Sequence, residues 1–224
     1  LGFVLGGSTA WLCASCHFPG RSFFEWALLL PLAVPTYSIA FSYGGLLEYA
    51  GPVQTSLREF FGWSRGDYWF PVVRSLPGAI FVMSFVLYPY VYLLGRTAFV
   101  GQARNYDESA RVLGRSSEGI LKDISFPLAR PSLIAGLALM LMEALSDFGA
   151  VQYLAVDTFT TGVYRTWFAL GSPDGAARFA SLLLLIIFFI LLVEHRSRGQ
   201  AKYYQVTGRS HLKEKVALAG LKGI

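Results

Sequence analysis

Two groups of residues in this sequence have types and spacings that could support chemistry. Cys13, Cys16 and His17 form a Cys-x-x-Cys-His pattern, in which two thiols can hold a haem covalently and the imidazole can bind its iron. Glu143 and Asp147 are four residues apart, so a helix places both carboxylates on one face. The sequence has no nucleophile paired with a base, no phosphate-binding Gly-Lys-Ser/Thr loop and no paired His ligands, so neither catalytic residues nor a metal site are predicted.

The elements that position these residues are predicted to be membrane helices. Of the 224 residues, 54% are hydrophobic and only 15% are charged, and the apolar residues form long blocks. Soluble domains carry ~25% charged residues, so the composition predicts an all-α, polytopic membrane protein built as a helical bundle. We expect about five transmembrane helices, at residues 1–17, 23–42, 70–95, 131–149 and 177–194. Leu1 stands where a Met would begin a chain, and the last residues resemble the start of a new apolar segment, so we expect a fragment of a longer protein.

Lys and Arg are distributed unevenly between the segments that connect these helices. Residues 96–130 and 195–224 are rich in them, whereas the loops at 44–67 and 150–178 are not. Basic residues favour the cytoplasmic side, so the first two segments are predicted to be cytoplasmic and the N-terminus external. This asymmetry also accounts for the net charge of +5, and no nucleic-acid partner is predicted.

The predicted topology bears on both groups of polar residues. It places Cys13 and Cys16 at the cytoplasmic end of a helix, whereas covalent haem attachment needs the opposite face. We therefore favour packing of small, soft side chains over haem, which remains the alternative. Charged residues inside a span usually face the bundle interior or a water-filled path. Glu143 and Asp147 are therefore candidates for a translocation path, with a hydrogen-bonded pair at a helix end as the equal alternative.

A polar segment of mixed charge lies between the third and fourth predicted helices. Asp107 and Glu108 would begin a helical turn, where negative charge suits the helix N-terminus, and Gly114 can end it. Because apolar helices flank this segment on both sides, it must lie at the membrane surface. Charge and glycine placement alone would also fit an ordinary solvated loop.

The segment resembles the cytoplasmic coupling loop of the binding-protein-dependent ABC transporter permeases. The pattern of that loop is Glu-Ala-Ala, three residues, Gly, nine residues, Ile, one residue, Leu-Pro. The corresponding residues here are Glu108, Ser109, Ala110, Gly114, Ile124, Phe126 and Pro127. Ser109 and Phe126 depart from the pattern but keep its small or apolar character. The resemblance implies a type I importer in which a short helix, within residues 104–127, docks into a groove on a separate ATPase subunit.

Three further segments resemble the ferric-iron permeases of this family, at residues 18–35, 142–150 and 157–167. They imply the first half of a fused permease that imports ferric iron across the bacterial inner membrane by alternating access. Sulfate, thiamine, a polyamine or a phosphonate remain alternative solutes. Five tyrosines could suggest Fe(III) ligands but are interpreted as anchors at the bilayer interface: Tyr37, Tyr43, Tyr88, Tyr90 and Tyr153.

The resemblance also implies the partners of the chain. These are an ABC ATPase subunit, expected as a dimer, an extracytoplasmic solute-binding protein, the second permease half and the lipid bilayer. ATP and magnesium are expected on the ATPase subunit, so the chain itself is expected to bind no cofactor and not to be an enzyme. Residues 1–194 would form the permease domain, and residues 195–224 a basic cytoplasmic linker towards the second half.

Overall fold

The computed structural model of the chain describes residues 1–64, 66–102, 114, 116–198 and 216–217, and most of these residues are helical. The elements in chain order are α1 (Gly2–Ser15), β1 (Cys16–His17), α2 (Arg21–Ala27), α3 (Thr36–Leu47), α4 (Pro52–Phe61), α5 (Leu76–Val100), α6 (Ser117–Ile120), α7 (Phe126–Ser146), α8 (Gly149–Tyr153), α9 (Phe159–Tyr164), α10 (Pro173–Arg198) and β2 (Val216–Ala217). Leu30–Ala33 forms a 3-10 helix, and Leu121–Ser125 and Arg165–Ala169 form π-helical turns. The two short strands pair in parallel, with Cys16 opposite Val216.

Three of the described helices are long and apolar enough to cross a bilayer. They are α5, the continuous helix Leu121–Ser146 and the segment Pro173–Ser197 of α10. A fourth crossing meets the same criteria only if Arg21–Ala33 and Thr36–Phe61 are taken together as one broken span. Helix α1 has 14 residues, fewer than the ~17–25 that a single spanning helix needs. The count of five crossings therefore stays a prediction.

Proline explains where the helices depart from the predicted bounds. The predicted span 23–42 is broken between Ala33 and Thr36, because the residue before Pro35 is driven out of the helical region and Pro35 becomes the N-cap of α3. The helix that contains most of the predicted span 131–149 extends from Leu121 to Ser146, so the span bounds themselves stay a prediction. Pro127 is the seventh residue of this continuous helix and follows directly on the π-helical turn and Phe126, so the departure from α-helical geometry coincides with its missing N–H.

The chain divides into two compact units. The first unit contains Leu1, Leu32–Leu87 and Met142–Phe188, and the second unit contains Gly2–Pro31, Tyr88–Leu141 and the described residues from Phe189 onwards.

The second unit is built on a close helix contact through small residues. Helix α1 buries small side chains at every fourth position, which are Gly2, Gly6, Ala10 and Ala14. A Cβ atom at Gly6 would lie 2.7 Å from the Tyr88 carbonyl oxygen of α5. Small residues in membrane helices allow two backbones to approach in this way. The buried core around this contact comprises Ala10, Cys13, Ala14, Tyr88, Val91, Tyr92, Phe99, Ala129 and Leu133.

The first unit is organised by aromatic contacts between α3 and α8. The Tyr153 ring lies 5.4 Å from the Phe41 ring and 6.2 Å from the Tyr37 ring, between centroids. Gly44 leaves the room that the Tyr153 side chain occupies, since a Cβ atom there would overlap its phenol group. Glycine therefore serves close packing at this position rather than a turn.

Candidate functional site

The predicted coupling residues are only partly described by the structure. Glu108, Ser109 and Ala110 lie outside the described residues, whereas Gly114, Ile124 and Pro127 lie within them. Gly114 is exposed and has a φ of 76°, in the left-handed region, and among the described residues no atom lies within 4 Å of a Cβ atom built on it. Its lack of a side chain therefore serves the backbone conformation rather than packing against the described part of the chain.

The second part of the predicted coupling pattern forms an unusual turn at the start of a membrane helix. Leu121–Ser125 is π-helical, and the Phe126 N–H donates to the Leu121 carbonyl five residues earlier. Pro127 has no N–H to offer the Asp123 carbonyl four residues before it, which weakens the α-helical alternative. Ser125 is 2% exposed, whereas Lys122 and Asp123 are exposed, so this turn is buried on one side only. Turns of this kind often mark functional positions in helices.

A side chain joins this turn to the end of α5. The Gln102 Nε2 atom donates a hydrogen bond of 2.7 Å to the Ser125 carbonyl oxygen, across 23 residues of sequence. The Gln102 Oε1 atom is buried and has no hydrogen-bond partner among the described residues. Sequence reasoning missed Gln102, because a single Gln beside a charged segment carries no signal of a long-range contact.

A cluster of charges lies in the second unit at the ends of α2 and α5 that are predicted to be cytoplasmic. The Glu25 carboxylate accepts from both Arg21, at 2.8 Å, and Arg96, at 2.9 Å. The three side chains are 12–31% exposed, so water screens them only partly. The Tyr92 hydroxyl donates to the Glu25 carbonyl at 3.3 Å, and the cluster thereby fastens α2 to α5. The four-residue spacing of Arg21 and Glu25 was visible in the sequence, but the contact with Arg96 was not.

The two candidate path residues lie in different environments. The Asp147 Oδ1 atom accepts a hydrogen bond of 2.8 Å from the Ala150 N–H. The backbone carbonyl of Asp147 accepts a hydrogen bond of 2.7 Å from the Thr160 hydroxyl. Asp147 therefore holds the start of α8 and its contact with α9. Glu143 is exposed on α7, and it has no ion-pair partner among the residues that the structure describes. Only Glu143 keeps its whole carboxylate available to a solute or a neighbouring subunit.

The cysteine pattern contributes to packing in this structure. Cys13 and Cys16 are 2% and 1% exposed, and no disulfide joins them. His17 is exposed. Within the described chain, no three His, Cys, Asp or Glu side chains come together in a way that could hold a metal ion. The burial of both thiols leaves little room for a haem edge and favours the packing interpretation.

Two of the tyrosines considered as iron ligands are engaged in structural contacts. The Tyr88 hydroxyl donates to the Leu28 carbonyl at 2.9 Å. The Arg74 guanidinium lies 4.6 Å from the centre of the Tyr153 ring and pairs with Glu48 at 3.1 Å. The hydrogen bond that Arg74 donates to the Tyr153 side chain raises the pKa of Arg74, and the Glu48 carboxylate adds to this effect. These contacts fit anchoring of the chain better than metal binding.

A cavity of about 340 Å³, with both polar and apolar residues in its wall, adjoins this ion pair in the first unit. Its wall includes Glu48, Arg74, Gln54 and Tyr68. The Tyr68 hydroxyl donates to the Gln54 side chain at 2.7 Å and accepts from Arg58 at 3.0 Å. The hydrogen bonds join Tyr68 to α4, which lies in the segment 44–67 that the basic-residue count predicts to be external.

The sequence and fold together define a class of membrane protein. Residues 2–195 match the family described as binding-protein-dependent transport system inner membrane component. The chain therefore belongs to this family, and the predicted family and inner-membrane location are confirmed.

Curated relatives show how widely the family's solutes vary. A probable molybdenum ABC transporter permease protein of Haloferax volcanii is 29% identical over 183 residues, covering 82% of this chain and 63% of that protein. The Fe(3+)-transport system permease protein FbpB 2 of Haemophilus influenzae is 25% identical over 200 residues, covering 89% of this chain and 35% of that protein. The chain thus spans less than two thirds of the length of either relative.

A solved structure confirms the predicted all-α membrane fold. The bacterial ABC transporter involved in the import of the acidic polysaccharide alginate superposes with a TM-score of 0.67 at 17% identity, covering 88% of this chain and 73% of that chain.

Proposed function

We propose that this chain is the permease subunit of an ATP-driven importer and that residues 108–127 couple it to an ATPase subunit. The observation that carries the proposal is the family match over residues 2–195, with the Glu108 to Pro127 pattern inside it. The left-handed Gly114 and the π-helical turn at Leu121–Ser125 support the proposal, because both give the segment a specific backbone shape.

The proposal assigns the chemistry of ATP to a partner. A pair of ABC ATPase subunits would hold ATP and magnesium, and a solute-binding protein would deliver solute at the external face. A second permease half would complete the path through the bilayer. ATP can shift the permease between two states only by its differential affinity for them, so the contact at residues 108–127 must differ between those states.

Ferric iron is the solute that we propose. The FbpB 2 relative aligns with 89% of this chain, and Glu143 offers an exposed carboxylate on a helix that can cross the membrane. Acidic side chains along a path favour cations. Molybdenum, as an oxyanion, is the second candidate, because the Haloferax volcanii relative has the higher identity of the two.

Uptake of radiolabelled metal by cells carrying the complete transporter tests both parts of the proposal. We expect ATP-dependent uptake of iron that excess molybdate does not reduce. A matched strain with Gly114→Val should show none. Uptake of molybdate without iron would favour the second candidate, and uptake that continues after ATP depletion would contradict the importer itself.

Co-purification provides a control that does not depend on the solute. The complete permease should retain its ATPase subunit in detergent. Loss of that subunit from a correctly inserted permease would contradict the proposed coupling.

A further inference from the structure

Gln102 lies just after the end of α5, where a movement of the proposed coupling segment would be transmitted to the membrane helices. Helix α5 ends at Val100, before the proposed coupling segment, and the helix Leu121–Ser146 begins within that segment. Any force applied to the segment reaches the bilayer through these two helix ends. If they are separate, one helix can move without the other.

The hydrogen bond between Gln102 and Ser125 joins the two helix ends. Its length of 2.7 Å is at the short end of the normal range, and the Ser125 residue that accepts it is 2% exposed. A carbonyl oxygen has two lone pairs, so Ser125 can accept from Gln102 in addition to a helical N–H. The contact is therefore compatible with an intact helix.

We propose that Gln102 is a positioning residue that makes the end of α5 and the π-helical turn at Leu121–Ser125 move as one body when the ATPase subunit acts. This inference rests on the proposed function of residues 108–127. It adds a residue outside the family pattern of that segment, and it assigns the role to the side-chain amide N–H donor.

Substitutions at Gln102 separate the effect of losing the hydrogen-bond donor from the effect of changing the size of the side chain. Gln102→Glu keeps nearly the same shape but replaces the amide donor with a carboxylate, which would face the Ser125 carbonyl. Gln102→Lys restores a donor of similar reach. In the complete transporter we expect Gln102→Glu to keep ATP hydrolysis within about twofold and to lower solute transported per ATP by roughly five- to tenfold. Gln102→Lys should return that ratio to within about twofold of the unsubstituted protein.

A spin-label measurement on the complete chain reports on the contact itself. Labels on Val100→Cys and Lys122→Cys occupy exposed positions on the two helix ends. Cys13 and Cys16 are replaced by alanine for this purpose. Gln102→Glu should broaden the distribution of distances between the labels, and Gln102→Lys should narrow it again.

The two measurements distinguish this inference from the proposed function. Unchanged transport per ATP in Gln102→Glu, or an unchanged distance distribution, would overturn the role of Gln102. If the unsubstituted complex neither hydrolyses ATP nor transports solute, the proposed function fails. In that case the label distances still decide whether Gln102 holds the two helix ends together.

Discussion

Among the predicted coupling residues, Gly114 is the one for which a single-residue property, its backbone conformation, best explains the residue type. Its φ of 76° lies in a region that costs residues with a Cβ atom roughly 1–2 kcal/mol. We expect Gly114→Val to abolish transport and to leave the amount of protein in the membrane unchanged, because the residue is exposed and touches nothing within the described chain. Uptake assays and quantification of the membrane fraction measure the two effects.

Gly114→Asn is the matched control, since Asn tolerates the left-handed region better than other residues with a side chain. It should retain more transport than Gly114→Val. Normal uptake by the valine variant would remove the claim that the backbone at this residue matters for coupling.

Among the described ion pairs, the charge cluster of Glu25 should cause the largest loss of stability when one partner is removed. Glu25→Gln leaves Arg21 and Arg96 near one another without a compensating charge. Removing one partner of a fully buried ion pair costs ~3–5 kcal/mol, and partial exposure should reduce this to about 2–3 kcal/mol. We expect the detergent-solubilised variant to have a lower melting temperature, as measured by intrinsic fluorescence.

A double variant shows whether repulsion between the arginines is responsible. Glu25→Gln with Arg96→Gln should be less destabilised than the sum of the two single variants. Additive losses would mean that the three residues do not interact. Arg165→Gln serves as a control, because the Arg165–Asp157 pair at 2.7 Å is largely exposed and should contribute little.

The sequence predicts the residues of local patterns better than those of distant contacts. Gly114, Ile124 and Pro127 were selected by their spacing along the chain, and their coupling role stays a prediction; Gly114 has a left-handed backbone, while the helix it was predicted to end lies outside the described residues. Gln102 and Arg96 act through residues 23 and 71 positions away in sequence. Such contacts depend on how helices pack, which no spacing within one segment encodes.

At the scale of elements, the effect of a glycine substitution on the packing of α1 should depend on whether that glycine faces α5. A Cβ atom at Gly6 would lie 2.7 Å from both the Tyr88 carbonyl oxygen and the Val91 Cβ atom, whereas one at Gly7 would lie 3.8 Å from its nearest neighbour, Leu133. Gly6→Ala should therefore cost ~1–3 kcal/mol through overpacking. Gly7→Ala should be neutral or stabilise the helix by up to ~1 kcal/mol.

Thermal unfolding of the two alanine variants in the same detergent compares them directly. Equal melting temperatures would show that α1 does not pack closely against α5. The pair is well matched, because both substitutions add one methyl group to the same helix.

The helices themselves were partly predictable from apolar runs, and proline set the limit. The predicted span 70–95 corresponds to α5 at Leu76–Val100, since a long apolar stretch needs little context to form a helix. Pro131, where a membrane span was predicted to begin, lies inside α7, whereas Pro35 interrupts the helix completely. The same residue type ends one helix and is tolerated in another, because the outcome depends on which carbonyl loses its donor and what surrounds it.

At the scale of the whole molecule, the proposal requires Glu108 to face the cytoplasm. Glu108→Cys should react with a membrane-impermeant maleimide only in inside-out vesicles. Ser56→Cys, at an exposed position on α4 in the loop predicted to be external, should react only in intact spheroplasts. Labelling of Glu108→Cys from the outside would contradict the topology and the coupling proposal together.

The two native thiols provide an internal measure of how often the second unit opens. Cys13 and Cys16 are almost completely covered, so an alkylating reagent can reach them only during transient separation of α1 from its neighbours. The slow rate of their modification, compared with that of an exposed thiol, would therefore give the equilibrium between open and closed forms. Substrate or nucleotide that tightens the unit should lengthen the lifetime of the unmodified protein.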